Sequence, residues 1–169
     1  MAPSVRAGTA ADLPALTEIY NHYVAASHAT FDLTPFSTRE RAAWLEHYSA
    51  TGRHRLLVAT EGDEVVGYAT SSRFRDKAAY ATSVETTVYC HPGAVGRGAG
   101  RALYAELFER LAEEDVHRAY AGIALPNDAS LALHRSFGFS DVGTFREVGR
   151  KFDRWWDVLW LERAVGPEG

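Results

Sequence analysis

The chain has 169 residues, a formal charge of −4 and 46% hydrophobic residues, which suits one well-buried soluble domain and is short for two. That charge, with no basic block anywhere, speaks against nucleic-acid binding, and no apolar run reaches membrane-spanning length, so neither nucleic acid nor membrane is an expected partner. Cys90 is the single cysteine, which excludes an intramolecular disulfide; with an amino terminus that lacks a signal-peptide core, it points to a cytoplasmic address.

Residues 4–7 read as a short first strand. Thr9 followed by Asp12 gives a helix amino-terminal cap with an acid near the dipole. Leu13, Leu16, Ile19, Tyr20, Tyr23 and Val24 then recur at helical spacing to about residue 27. Residues 30–36 form a loop that Pro35 keeps out of helix. Ser37 and Glu40 make a capping-box pattern, so a second helix is predicted over about 38–49, with Trp44, Leu45 and Tyr48 on its apolar face. Residues 56–60 and 65–74 read as a strand pair joined through Glu61, Gly62 and Asp63. Gly67 inside the second strand predicts a bulge or a close backbone approach. A charged connection then carries Arg73, Arg75 and Lys77.

The chain is organised around residues 84–104. Residues 81–90 alternate and are rich in β-branched side chains. Val84, Thr86 and Val88 point one way; Ser83, Glu85, Thr87 and Tyr89 point the other. Gly93, Gly96, Gly98 and Gly100 follow, and from Arg101 a helix takes over with Leu103, Leu107 and Leu111 on one face. A glycine-rich turn at the head of a helix leaves main-chain amides open where the dipole is positive, which is a phosphate site. Arg97 and Arg101 add charge. The Gly-Lys-Ser/Thr of a P-loop is missing, and the dinucleotide pattern fails because Arg101 and Leu103 stand where its third glycine belongs.

After a helix ending near 114, residues 118–125 read as a strand. A helix follows, capped by Asn127 or Asp128 and stopped by Gly138. Strands over about 140–148 and 154–162 close a single domain, 1–164, with 165–169 as a short mobile tail. The resulting class is α/β (α+β): a mixed sheet with helices on both faces.

The pattern Gly96-Arg97-Gly98-Ala99-Gly100 after a strand resembles the pyrophosphate loop of the GNAT acyl-CoA-dependent N-acetyltransferases. Val95 stands where the family has Gln or Arg. Residues 127–139 resemble the family's Asn-x-x-Ala-x-x-Leu-Tyr-x-x-x-Gly-Phe segment, with His134 in place of the Tyr. Asn21-His22-Tyr23-Val24, Ala29-Thr30-Phe31, Val84-Glu85-Thr86-Thr87-Val88-Tyr89 and Trp155-Trp156-Asp157-Val158 narrow the resemblance to the phosphinothricin and methionine sulfoximine acetyltransferases. Asp32, Phe152 and Trp156 depart from the phosphinothricin resistance enzymes, which carry a basic residue and histidines there.

The resemblance implies the GNAT fold, about seven mostly antiparallel strands, with acetyl-CoA as cosubstrate and a small-molecule amine as acceptor. It also implies direct acetyl transfer to the amine of a small polar amino acid or analogue, and a homodimer. The amide near Val88, flanked by Thr87 and Tyr89, is expected to polarise the thioester carbonyl. Val95, Gly96, Arg97, Gly98, Ala99, Gly100 and Arg101 are expected on the diphosphate, and Asn127, Ser130 and Ser136 along the rest of the cofactor. Glu85, a carboxylate in a central strand, is the candidate base. His134 is the second catalytic candidate, contacting the cofactor sulfur or protonating the leaving thiolate, with a satisfied helix histidine as the other reading. Phe31, Arg73, Arg75, Lys77 and Tyr80, with Glu85, are the candidate acceptor contacts. No histidine pair has a metal-ligand spacing, so no metal is expected. Two other readings stay open: transfer to a protein or peptide amine, and a non-catalytic acyl-CoA-binding domain.

Overall fold

A computed structural model describes residues 2–166. Its strands are β1 (Ser4–Ala7), β2 (Leu56–Glu61), β3 (Glu64–Arg73), β4 (Ser83–Cys90), β5 (Arg118–Ala124), β6 (Ser140–Lys151) and β7 (Arg154–Ala164). Its helices are α1 (Leu13–Ala26), α2 (Thr38–Leu45), α3 (Ala99–Ala112) and α4 (Asp128–Ser136). The strands form one sheet in the order β1-β2-β3-β4-β5-β7-β6. Every neighbouring pair is antiparallel except β4 with β5, which run parallel. The expected mixed sheet of about seven strands is the one found.

Alternation along the central strands divides the core between two faces. Leu57, Ala69 and Val84 join Leu103, Leu107 and Leu111 of α3 on one face, with Leu131 and Leu133 of α4 packed against them. Leu56, Val58 and Tyr68 meet Leu16 and Ile19 of α1 on the other, with Trp44 of α2 beside them. Leu16, Leu57, Leu103, Leu107 and Leu111 are fully buried, and each contributes roughly 1.5–3 kcal/mol relative to exposure. Gly67 has both predicted features. The pairing with β2 slips between Ala59 and Thr60, and a methyl on Gly67 would stand 3.0 Å from the Tyr89 carbonyl oxygen.

Three boundaries differ from expectation. The capping box of α2 is present, with the Ser37 amide donating to Glu40 at 2.7 Å, but the helix ends at Leu45. There the His47 and Tyr48 amides reach back only three residues and the Ser49 amide turns to the His54 carbonyl. β6 continues to Lys151 because a bulge between Phe145 and Gly149 lets pairing with β7 resume. Within that bulge the Glu147 amide donates to the Asp157 carboxylate. Val165, expected in the tail, is buried and its amide donates to the His117 carbonyl at 3.0 Å. Residues 167–169 lie outside the described residues.

Candidate active site

The parallel pair is short. β4 and β5 are registered only at Ser83–Arg118, Val84–Ala119 and Glu85–Tyr120. β5 stays paired with β7 as far as Ala124, so residues 86–90 of β4 have no β5 partner. The sheet therefore splits at Glu85 and leaves a wedge with a bare backbone edge on each side. A cleft of about 620 Å³ occupies this wedge, between β4, β5, the glycine turn and α4. An extended ligand arm with amide groups can pair there as a strand would.

At the far end the turn delivers the head of α3. Gly98 takes φ +91° and Gly96 φ +79°, the left-handed region that glycine enters without strain. Gly98 is the N-cap residue and no side chain caps the helix. Amides of the first turn therefore face the cleft, whose lining includes Gly96, Gly98, Ala99, Gly100 and Arg101. Val95 lines it too and is largely exposed. Arg97 does not: its guanidinium pairs with Glu61 of β2, which draws it out of the cleft. The uncapped amides, the dipole and Arg101 fit a diphosphate, so the residues present suit the coenzyme A moiety of acetyl-CoA.

α4 forms the other wall. The Asn127 side chain caps it by accepting from the Ser130 amide at 3.2 Å, and both residues line the cleft. His134 lines it as well but is only 3% exposed. Its Nδ1–H donates to the Ser130 carbonyl at 2.7 Å, which makes Nε2 the acceptor of the Tyr104 hydroxyl at 2.9 Å. Burial pushes its pKa down and the Ser130 carbonyl only partly opposes this. His134 thus has both nitrogens engaged within the protein, the arrangement that a satisfied helix histidine would show. Ser136 is a correction: its hydroxyl donates to the Leu133 carbonyl at 2.7 Å, a bond within its own helix, and it is absent from the lining.

The opposite face of β4 carries a second pocket of about 370 Å³, lined by Glu85, Thr87 and Tyr89 from β4 and by groups from α1, α2 and β3. Thr87 and Tyr89 line both cavities, so the two meet at the split edge of β4. Glu85 is half-buried. Burial raises its pKa, and the nearby positive charge of Arg75 partly offsets the rise. A carboxylate with a raised pKa beside a cleft is a suitable proton acceptor.

The other acceptor contacts expected from sequence are not gathered at this pocket. Arg75 acts on Glu85 through its charge, while its guanidinium rests on the Phe74 ring at 4.4 Å. Arg73 is exposed and lies 3.8 Å from Asp76. Lys77 is exposed and precedes a single turn, Ala78–Tyr80, that carries Tyr80 outward against Phe74. Phe31 packs instead on Gly149 of β6, where an added methyl would stand 2.2 Å from its ring.

The pocket wall consists mainly of residues that motif reading did not single out. Tyr20, Arg41, Trp44, Tyr48 and Tyr68 enclose it, with Ser72 opposite Glu85. Burial raises the phenol pKa of Tyr20 and Tyr68 and pushes Tyr89 up to about 12, so these hydroxyls remain protonated. One signal was available. On the helix predicted over 38–49, Arg41, Trp44 and Tyr48 stand at i, i+3 and i+7, a spacing that puts a cation on an apolar stripe. No cluster of metal-binding side chains occurs among the described residues.

A family model described as an acetyltransferase (GNAT) domain matches residues 5–160. The chain is 61% identical to a phosphinothricin N-acetyltransferase of Streptomyces coelicolor, over 95% of this chain and 95% of that protein. It is 34% identical to an L-methionine sulfoximine/L-methionine sulfone acetyltransferase of Pseudomonas aeruginosa, over 99% and 97%. Among solved structures, a phosphinothricin acetyltransferase from Sinorhizobium meliloti in complex with AcCoA superposes with a TM-score of 0.93 at 36% identity, covering 98% of this chain and 90% of that one.

Proposed function

The chain belongs to the GNAT acetyltransferase family, and from that premise we propose that it acetylates the amine of a small polar amino acid or analogue of the methionine sulfone, methionine sulfoximine or phosphinothricin type. It is an acetyl-CoA-dependent N-acetyltransferase. The observation that carries the reading is the position of β4. Its bare backbone edge borders the cofactor cleft, and its Glu85 stands in the pocket on the other side.

When bound, acetyl-CoA supplies an acetyl group activated as a thioester. The roles of this chain's residues follow from their positions. The open amides at the head of α3, around Gly98, Ala99 and Arg101, would hold the diphosphate and fix the register of the arm. Asn127 and Ser130 border the arm. The Val88 amide is assigned to polarise the acetyl carbonyl. Glu85 takes one proton from the acceptor ammonium, directly or through one water, so that the amine lone pair is free. The carbon–nitrogen bond would form as the carbon–sulfur bond breaks, and the departing thiolate of coenzyme A would take up the amine's second proton through solvent. Alignment across the β4 edge supplies much of the rate. His134 is assigned a wall position, since its one N–H is committed to Ser130.

The sheet edge supports a further proposal, that two copies associate. β6 is the terminal strand and exposes Val142, Phe145 and Val148, each more than half accessible. An edge this apolar suits a second copy of the chain. No helix of the described residues is long and apolar enough to cross a membrane. That is compatible with the proposed cytoplasmic address.

Release of free thiol from acetyl-CoA, followed with methionine sulfoximine, methionine sulfone, phosphinothricin, simple amines and an alanine-terminated peptide, tests the reading. Turnover with at least one amino-acid analogue is expected. Turnover with the peptide alone would favour a protein acceptor, and no turnover at all a non-catalytic domain.

A further inference from the structure

Two arginines of this protein are buried to the same degree, Arg41 and Arg55, each 6% exposed. Arg55 has the expected partners: the Glu114 carboxylate at 2.6 Å and the Ala50 and Gly52 carbonyls. Arg41 has none of this kind. Its guanidinium lies 3.6 Å from the Trp44 ring centre and 4.6 Å from that of Tyr20. One nitrogen, Nη2, donates to the Tyr68 hydroxyl at 3.4 Å. Nε is buried without a partner. Among the described residues no carboxylate comes within ion-pair range of Arg41.

A buried cation without a counter-charge is costly, and two aromatic faces offset only part of the lost hydration. The three acids of the same pocket wall, Asp32, Glu40 and Glu85, all lie beyond ion-pair range of Arg41. Asp32 accepts the Tyr20 hydroxyl. Glu40 is turned to the Ser37 amide and hydroxyl in the α2 cap. Arg41 lines the pocket of about 370 Å³ that also holds Glu85. A positive group and a proton acceptor within one small pocket suit a ligand carrying an anion and an ammonium.

We propose that Arg41 is the anchor for the acceptor's carboxylate, so that the pocket selects amines that bear an acid over neutral amines of the same shape. The assignment rests on the acetyltransferase reading and deepens it. It places the carboxylate contact on α2 rather than on the exposed Arg73 and Lys77. Arg75 remains at the rim, acting on Glu85.

Matched acceptors test it: L-methionine sulfone and its carboxamide, which differ in charge and hardly in shape. Wild-type protein is expected to favour the acid. Arg41→Met, which keeps an unbranched chain between the two rings, is expected to raise KM for the acid on the order of 100-fold. KM for the carboxamide and for acetyl-CoA is expected to stay within about twofold, so that the preference disappears. Arg41→Lys, which keeps the charge but loses the fork, should fall between. An unchanged preference in Arg41→Met, or an equal loss for both acceptors, overturns the assignment. Should Arg41→Met fail to fold, the same comparison is read from Arg41→Lys, where an intact preference overturns it.

Thermal denaturation with each acceptor, without acetyl-CoA, separates the two claims. Wild-type protein that acetylates neither acceptor but is stabilised by the acid, with Arg41→Met not stabilised, overturns the acetylation reading and upholds Arg41. Acetylation of both acceptors without preference upholds the reading and overturns Arg41.

Discussion

On one side of β4 the cleft is made of backbone and small residues: a bare strand edge, left-handed Gly96 and Gly98, and the uncapped amides of α3. On the other side the pocket is made of large side chains drawn from α1, α2, β3 and β4, with a single guanidinium among its phenols and indole. Such a division lets one scaffold keep its donor while its acceptor changes. Main-chain amides do not change with side-chain identity, so the cofactor side is expected to tolerate Val95 where the family pattern has Gln or Arg. The acceptor side has no such constancy, because each wall residue sets shape and charge directly.

If the two sides are separable in this way, damage to one should leave the other intact. The largest effect is expected at Glu85. Replacing it with Gln keeps its shape and removes the base, so kcat should fall roughly 10²- to 10⁴-fold. Acetyl-CoA affinity, measured by calorimetry, should stay within about twofold. Wild-type turnover at alkaline pH in that variant would remove Glu85 from the mechanism.

Gly98→Val attacks the other side. A β-branched residue at φ +91° is strained by about 1–3 kcal/mol, and the first amides of α3 should shift. Acetyl-CoA should bind on the order of 10-fold more weakly, with the acceptor Kd from thermal shift unchanged. Equal loss of both ligands would show the two sides to be coupled.

A smaller effect sharpens the electrostatics. Glu85 must be ionised to act, and burial raises its pKa from 4.5, so kcat/KM should rise with pH through a limb above the ordinary carboxylate range. Arg75 favours the ionised form, so Arg75→Gln should move that limb higher still. The stability sign is opposite. A pKa raised in the folded state means that protonating Glu85 favours folding. That contribution is full below the unfolded pKa and fades as pH rises through the folded one. A limb that stays in place or moves down in Arg75→Gln contradicts the assigned coupling.

The smallest effect is expected at Ser136. Its hydroxyl serves only its own helix, so Ser136→Ala should change stability by less than about 0.5 kcal/mol and acetyl-CoA binding not measurably. A clear loss of cofactor affinity would return Ser136 to the cleft.

The order of elements, the alternation that sorts β4 into two faces, the capping box at Ser37 and Glu40, and the glycine turn were legible in the sequence. Each is written within a few neighbouring residues, at the spacing of a strand, a helix turn or a tight turn. The tertiary structure alone decided which of these residues share a cavity. Phe31 leaves the acceptor pocket for Gly149, 118 positions later along the chain, because no side chain there blocks its ring. Arg97 is drawn to Glu61 and away from the cleft. Arg41 enters the pocket because α2 lays its apolar stripe on Tyr20 and Tyr68. Such choices depend on contacts between segments far apart in the chain, where local periodicity carries no information and only packing of the whole sheet selects the partner.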